Sequence, residues 1–217
     1  MEPFVTHRGK VAVLDWSDVN TDLIIPARYL KRVERTGYGP LLFADKRYEE
    51  GGAPSPEDPE KRGAPSPEFP LNRPEFADAS ILIVGKNFGC GSSREHAVWA
   101  VAQAGFRALI APGKGEGFAD IFEGNSFNNG LLPIEVDEDE WHAITAPLRS
   151  GGEVTIDLEA KTITAHAPKG DVVVAFDVPE ENRQRLLQGF DFIAETLLED
   201  AAISRYEASA PAWAGTR

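Results

Sequence analysis

Ser80-Ile81-Leu82-Ile83-Val84-Gly85-Lys86-Asn87-Phe88-Gly89-Cys90-Gly91-Ser92-Ser93-Arg94-Glu95-His96, continuing through Ala97-Val98-Trp99-Ala100-Val101-Ala102 to Ala111, is the stretch that decides the fold. Ile81 to Val84 is an unbroken apolar run closed by a glycine, the pattern of a strand buried on both faces. Ala97 to Ala102 runs without a helix breaker to Gly105, a natural helix stop. Arg107 to Ala111 returns as a second apolar strand. Strand, glycine-rich turn, helix, strand is an α/β unit.

Three glycines in the seven positions Gly85 to Gly91 let the backbone approach a ligand closely. The following helix aims its free N–H groups and positive dipole end at the same place, so an anion belongs there. Arg94 opposes that dipole, and a bound carboxylate or phosphate accounts for it. Ser92-x-x-Glu95 also reads as a capping box, so one of the two serines is expected to cap the helix, which leaves the other for chemistry. Gly89 and Gly91 begin a G-x-G, but the third glycine of a dinucleotide fingerprint would fall on Arg94, and no G-x-x-x-x-G-K-[ST] occurs. The anion is therefore expected to be neither a dinucleotide nor a nucleoside triphosphate.

Phe88-Gly89-Cys90-Gly91-Ser92-Ser93-Arg94-Glu95-His96 resembles the G-S-S-R-E-H signature of the aconitase family's swivelling domain. Within that family the chain is similar to the small-subunit branch of the isopropylmalate dehydratases. The likeness extends through Asn20-Thr21-Asp22-Leu23-Ile24-Ile25-Pro26, Asn72-Arg73-Pro74, Ile110-Ala111-Pro112, Phe118-Ala119-Asp120-Ile121-Phe122 and Asn129 to Ile134, and reaches Tyr206-Glu207.

The resemblance implies an α/β fold of the swivelling β/β/α type with a mixed sheet and flanking helices. It implies the small subunit of a two-chain hydro-lyase that interconverts 2-isopropylmalate and 3-isopropylmalate by dehydration and rehydration in leucine biosynthesis. A large subunit would be the partner and would carry a [4Fe-4S] cluster, with no metal on this chain. Carried over by position, Ser92 is the catalytic base, and Ser93 and Arg94 hold substrate carboxylate. Thr21 and Asp22 lie in the active-site loop. The segment that follows sets substrate side-chain specificity, with Arg28 and Arg32 as candidate contacts and Arg35 also open. Homoaconitase and citraconate or maleate hydratase subunits share the central motif and remain alternatives, as does a stand-alone anion-binding module.

Composition bounds these readings. A chain of 217 residues with 42% hydrophobic content builds one domain with a real core, with an arm at most. A formal net charge of −13 argues against nucleic acid and anionic membrane as partners. Met1 to Lys10 lacks the apolar core of a secretory signal and no run approaches a membrane span, so a soluble, cytoplasmic protein is expected. The single cysteine, Cys90, excludes an intramolecular disulfide and cannot alone hold an iron–sulfur cluster. No feature assigns it a base, so it reads as a small residue packed in the turn. His7, His142 and His166 lack ligand spacing. His96 lies one helical turn after Ser92 and is free either to orient the serine or to pack.

Elsewhere, Lys10 to Leu14 predicts a first strand, and Asn20-Thr21-Asp22 an Asx-type turn or cap. A short helix follows Pro26, where Arg28, Lys31, Arg32 and Arg35 make a locally basic segment whose plain account is a solvated face. Residues 48–76 turn to Pro, Gly, Glu and Ser and predict an exposed loop insertion. Within it Gly52-Ala53-Pro54-Ser55-Pro56-Glu57 recurs as Gly63-Ala64-Pro65-Ser66-Pro67-Glu68, a local duplication that departs from the family's pattern. Pro112 to Gly117 is a second departure and predicts a loop leading to a short helix through Phe122. Asn129-Gly130 gives a turn into a strand over Leu131 to Val136, and Asp137-x-x-Glu140 opens a helix that ends near Gly151. A hairpin over Glu153 to His166 and a strand over Val172 to Phe176 follow. Residues 179–217 form a helical arm broken at Gly189, with Leu186, Leu187, Phe190, Ile193 and Leu197 as its packing stripe and a frayed tail from Ser209.

Overall fold

The computed structural model describes residues 1–168 and 170–209, so the end of the expected arm and most of its tail lie outside the described residues. A single seven-stranded sheet forms the centre, in the order β4-β3-β2-β1-β5-β6-β7. Its strands are β1 (Thr6–Leu14), β2 (Ile81–Val84), β3 (Ala108–Pro112), β4 (Leu132–Val136), β5 (Glu153–Asp157), β6 (Thr162–His166) and β7 (Val172–Ala175). The first four are parallel, with Val11 opposite Ile81 and Leu82 opposite Leu109. The last three form an antiparallel meander joined to the outer half of β1, with Thr6 opposite Asp157.

Burial explains which strands the sequence announces. Every residue of β2 and β3 is buried, as a parallel strand covered on both faces requires. In β5 and β6 burial alternates, with one face against the core. β1 does both: Val11 to Leu14 are buried throughout, while Thr6 to Lys10 are exposed or half-buried. That polar half extends the strand four residues before the predicted start. At the changeover, a Cβ on Gly9 would stand 2.0 Å from the Ser80 hydroxyl, so a side chain there would displace that hydroxyl and break its bond to His7.

The helices are α1 (Thr21–Ile24), α2 (Ala44–Arg47), α3 (Glu95–Gln103), α4 (Asp120–Asn128), α5 (Glu138–Thr145), α6 (Glu180–Gln188), α7 (Phe192–Leu197) and α8 (Asp200–Ser209). Asn20 caps α1 through its side chain, which accepts from the Leu23 N–H at 2.8 Å. Asp137 and Glu140 form the expected capping box on α5. Gly105 and Gly189 take left-handed backbone just beyond α3 and α6, as helix stops do. α4 starts at Asp120 and runs on to Asn128, longer than the expected turn through Phe122.

Two expectations need correction. Residues 48–76 are not simply an exposed loop, because Pro54, Phe69 and Phe76 are buried and 3-10 turns form at Pro70–Asn72 and Pro74–Phe76. The apolar stripe of the arm packs only at its start. Leu186 is fully buried and Leu187 is packed against the core, but Ile193 is 71% and Leu197 58% exposed. Hydrophobic spacing marks an apolar face, and within the described chain nothing covers this one.

Candidate active site

The loops that leave the carboxyl ends of β1, β2 and β3 meet in one cleft of about 760 Å³. Crevices at that end of a parallel sheet are where α/β folds bind ligands. The β1 loop brings Asp18 and Thr21, the β2 loop Lys86, Asn87, Ser93 and Arg94, and the β3 loop Glu116 and Phe118.

Asn87, Gly89 and Gly91 have φ of 56°, 81° and 90°, so the turn alternates through left-handed backbone. At Gly89 a Cβ would lie 2.2 Å from the Phe122 ring, which makes glycine a matter of space as well as conformation. The turn is tied on both sides. Gly89 N–H donates to Val19 and Thr21 N–H to Cys90, while Asn87 and Phe88 N–H donate to Glu116 and Gly117 at 2.8 and 2.9 Å. Beyond the turn, among the described residues, the N–H groups of Gly91, Ser92, Ser93 and Arg94 have no partner within the chain. Four unpaired donors in sequence beside a cleft are available to an anion.

The predicted capping box at Ser92 and Glu95 is absent. α3 begins at Glu95, its N-cap residue is Arg94 in extended conformation, and no side chain caps it. Glu95 instead accepts from Asn129 at 3.0 Å. Ser92 and Ser93 are exposed and their hydroxyls make no hydrogen bond among the described residues. The backbone of Ser92 is fixed all the same, because buried Thr21 donates its hydroxyl to the Ser92 carbonyl at 2.8 Å. Arg94 is paired with Asp22 across the cleft mouth.

Thr21, Ser93 and Arg94 line the cleft together, Asp22 holds Arg94, and Ser92 stands beside the cleft in the same segment. Arg28 and Arg32 are not in its lining. Arg28 pairs with Asp45 and donates to the Tyr29 hydroxyl, and Asp45 raises its pKa. Arg32 donates to the Pro56 carbonyl at 2.5 Å and lies over the Tyr38 ring. Arg35 lies over Trp99. His96 packs between Tyr38 and Trp99, with centroids 5.6 and 4.7 Å away, and has no bond to either serine. Burial lowers its pKa. Burial and nearby Asp18 raise the Cys90 thiol, the opposite of an activated thiolate.

Sequence reasoning missed Lys86, Asn87, Asp18 and the 115–122 wall. Lys86 is held by Glu138 at 3.0 Å. Asp18 accepts from the Asn87 side chain at 2.7 Å. Glu135 on β4 clamps the glycine-rich loop, accepting from the N–H groups of Gly115, Gly117 and Phe118 at 2.5, 2.9 and 3.1 Å. The local signal was a carboxylate in an apolar strand, Leu132-Pro133-Ile134-Glu135-Val136, facing a run of three glycines. Phe118, Ala119, Ile121 and Phe122 give the cleft an apolar part, interrupted by Asp120.

The fold and the cleft define an α/β protein with a ligand-sized crevice at the carboxyl ends of its parallel strands, lined by Lys86, Arg94 and an apolar surface. The sequence profile of the aconitase C-terminal domain matches residues 1–139, and the chain belongs to that family. Its relatives include the 3-isopropylmalate dehydratase small subunit of Bacillus pumilus, 47% identical over 98% of both chains. The same subunit from Bacillus subtilis is 44% identical over 98% of both. That from Teredinibacter turnerae is 47% identical over 96% of this chain and 93% of its own. A crystal structure of 3-isopropylmalate dehydratase from Methanocaldococcus jannaschii superimposes with a TM-score of 0.63 at 26% identity, covering 93% of this chain and 99% of that one.

Proposed function

We propose that this chain acts as the small subunit of a two-chain 3-isopropylmalate dehydratase, a cytoplasmic hydro-lyase that interconverts 2-isopropylmalate and 3-isopropylmalate in leucine biosynthesis. The observation that carries the reading is 47% identity to such a subunit across 98% of both chains. The cleft agrees with it. Arg94 and Lys86 in its lining suit the carboxylates of a malate, and Phe118, Ile121 and Phe122 suit the isopropyl group.

On this reading Ser92 Oγ removes the C–H proton adjacent to a carboxylate. A serine hydroxyl is a poor base unless its alkoxide is stabilised. The unpaired N–H groups from Gly91 to Arg94 supply donors where that charge develops. Ser93 and the Arg94 fork grip a substrate carboxylate, with Asp22 orienting Arg94 and Thr21 fixing the Ser92 backbone. The Ala27–Arg35 segment, which lies outside the cleft lining, acts on the choice of substrate side chain from beside the cleft, as the family resemblance implies.

The [4Fe-4S] cluster of such dehydratases supplies Lewis-acid polarisation of the leaving hydroxyl. This chain does not fit it: one cysteine cannot provide a cluster's thiolates, and no three His, Cys, Asp or Glu among the described residues converge on a metal position. The cluster is therefore assigned to the large subunit, the proposed partner. Among the described residues no helix is long and apolar enough to cross a membrane.

Reconstitution tests the reading. The purified chain alone should be iron-free and inactive, and mixing it with its large subunit should give isopropylmalate turnover. Turnover by this chain alone would overturn the division of labour. A panel of homoaconitate, citraconate and maleate would expose a related hydratase instead, by a higher kcat/KM for one of those diacids.

A further inference from the structure

The duplicated loop performs two different tasks with its two copies. The second, Gly63–Glu68, is the base. Gly63 N–H donates to Gly52 at 2.8 Å, Ala64 accepts from Glu49 at 3.0 Å, and Ser66 N–H donates to Arg47 at 2.9 Å. The two glycines touch so closely that a Cβ on Gly63 would be 2.6 Å from Gly52 Cα. The chain between the copies therefore leaves and returns at almost one point.

The first copy, Gly52–Glu57, reaches instead to the Ala27–Arg35 segment. Buried Tyr29 donates its hydroxyl to the Pro54 carbonyl at 2.7 Å, and Arg32 donates to the Pro56 carbonyl at 2.5 Å. Proline suits this task, because it has no N–H and stiffens the backbone, which keeps these carbonyls out of regular structure and free to accept. Pro59, just beyond, faces Gly37, where an added Cβ would lie 3.5 Å from its ring. From the other side α3 holds the same segment: Gln103 donates to the Arg35 carbonyl at 2.7 Å and accepts from Tyr38 N–H at 2.8 Å. The buried Nε–H of Arg32 has no acceptor; its guanidinium is held by the strap's carbonyl, the Tyr38 ring, the Thr36 carbonyl at 3.3 Å and, more loosely, Glu34 at 3.9 Å.

We infer that the first copy of the repeat is a strap that fixes the conformation of Ala27–Arg35, and through it the substrate side chain this subunit accepts. The specificity half of this inference rests on the proposed dehydratase reading; the strap itself rests on the contacts. With the strap in place Arg32 is turned into the protein, Arg28 stays at the surface on Asp45, and Val33 is left 92% exposed.

Excising Ala53–Gly63 removes one repeat unit and rejoins Gly52 to Ala64, a junction the touching glycines favour. In the full-length chain, amide hydrogen exchange over residues 27–38 should accelerate about tenfold or more, with exchange in β2 and β3 unchanged. In the enzyme assembled with its large subunit, the kcat/KM ratio for 3-isopropylmalate over 3-methylmalate should shift about fivefold or more. Tyr29→Phe, which removes the bond to Pro54 together with the one Tyr29 accepts from Arg28, should accelerate exchange in the same segment by a smaller factor and keeps the test open if the excised chain does not fold. Unchanged exchange in 27–38 overturns the strap. Faster exchange with an unchanged ratio overturns the specificity assignment alone. Absence of hydro-lyase turnover by the unaltered assembled enzyme overturns the dehydratase reading and leaves the exchange result standing.

Discussion

Replacing Ser92 by alanine separates two roles that the sequence could not. If Ser92 capped α3, its loss would cost about 0.5–2 kcal/mol of stability. In the structure the N-cap residue is Arg94 and the Ser92 hydroxyl is exposed and unpartnered, so the loss should stay within about 0.5 kcal/mol. For a chain of this size that is a melting shift below about 2 °C. Removal of a general base lowers the rate by about 10²–10⁴, equivalent to about 2.7–5.4 kcal/mol of barrier. Thermal melts of the isolated subunit give the first quantity. The second comes from turnover with the large subunit, followed by ultraviolet absorbance of the unsaturated diacid. Near-normal kcat in Ser92→Ala would refute the assignment, and a collapse in Ser93→Ala alone would move the base to the serine that lines the cleft.

Arg94→Lys should raise KM about 10- to 100-fold, because an ammonium cannot reproduce the planar fork, and steady-state kinetics on the diacid reads it. Glu135→Ala removes the acceptor of three N–H groups and should cost about 1–3 kcal/mol in urea unfolding, with faster amide exchange at residues 113–118. His96 has a lowered pKa, chiefly from burial, opposed by Glu95 and aided to a lesser degree by Arg94, so the folded chain favours the neutral ring. Its contribution to stability is present above the ordinary value of 6.5 and is lost as pH falls through the lower folded value. The melting temperature should therefore drop between pH 7 and 5, and drop less in His96→Phe.

Most of the sheet was legible because burial leaves a direct mark on composition. The unbroken run Ile81–Val84 could only be an inner strand, and the alternation in Glu153–Asp157 and Thr162–His166 could only be a hairpin with one wet face. The outer half of β1 was hidden, since Thr6–Lys10 pair with β5 at a position where neither face demands apolar residues. The capping box misled for a different reason. Ser-x-x-Glu states that a box is possible locally, but Thr21 and Asp22, about seventy positions earlier, hold the Ser92 carbonyl and the Arg94 side chain, Arg94 is extended, and the helix starts only at Glu95. Contacts of that range also explain why Glu135, which clamps the cleft loop, and Pro54, which accepts from Tyr29, gave no sign of their partners. Arg28 and Arg32 were visible as a basic cluster, while the acceptors that hold them, Asp45 on α2 at the surface and Pro56 in the repeat, were not.

The pairing of Arg94 with Asp22 resolves the oddity of a cation at a helix start and bears on how the proposed site binds its substrate. A guanidinium there opposes the helix dipole, and Asp22 restores negative charge at that end. The pair is unequal: the Arg94 side chain is 17% exposed, whereas that of Asp22 is 55% exposed. Arg94 is thus the fixed member, and Asp22 the one free to turn to water at small cost, as exposed ion pairs contribute about 0–1 kcal/mol. An arriving carboxylate exchanges one anion for another on a fork already aimed at the cleft. The gain in affinity is then modest and the gain in orientation large. Asp22→Asn should accordingly leave the fold intact, loosen Arg94, and lower kcat by about tenfold while moving KM less than Arg94→Lys does. If KM instead falls sharply with kcat unchanged, Asp22 is a competitor for Arg94 and not its guide.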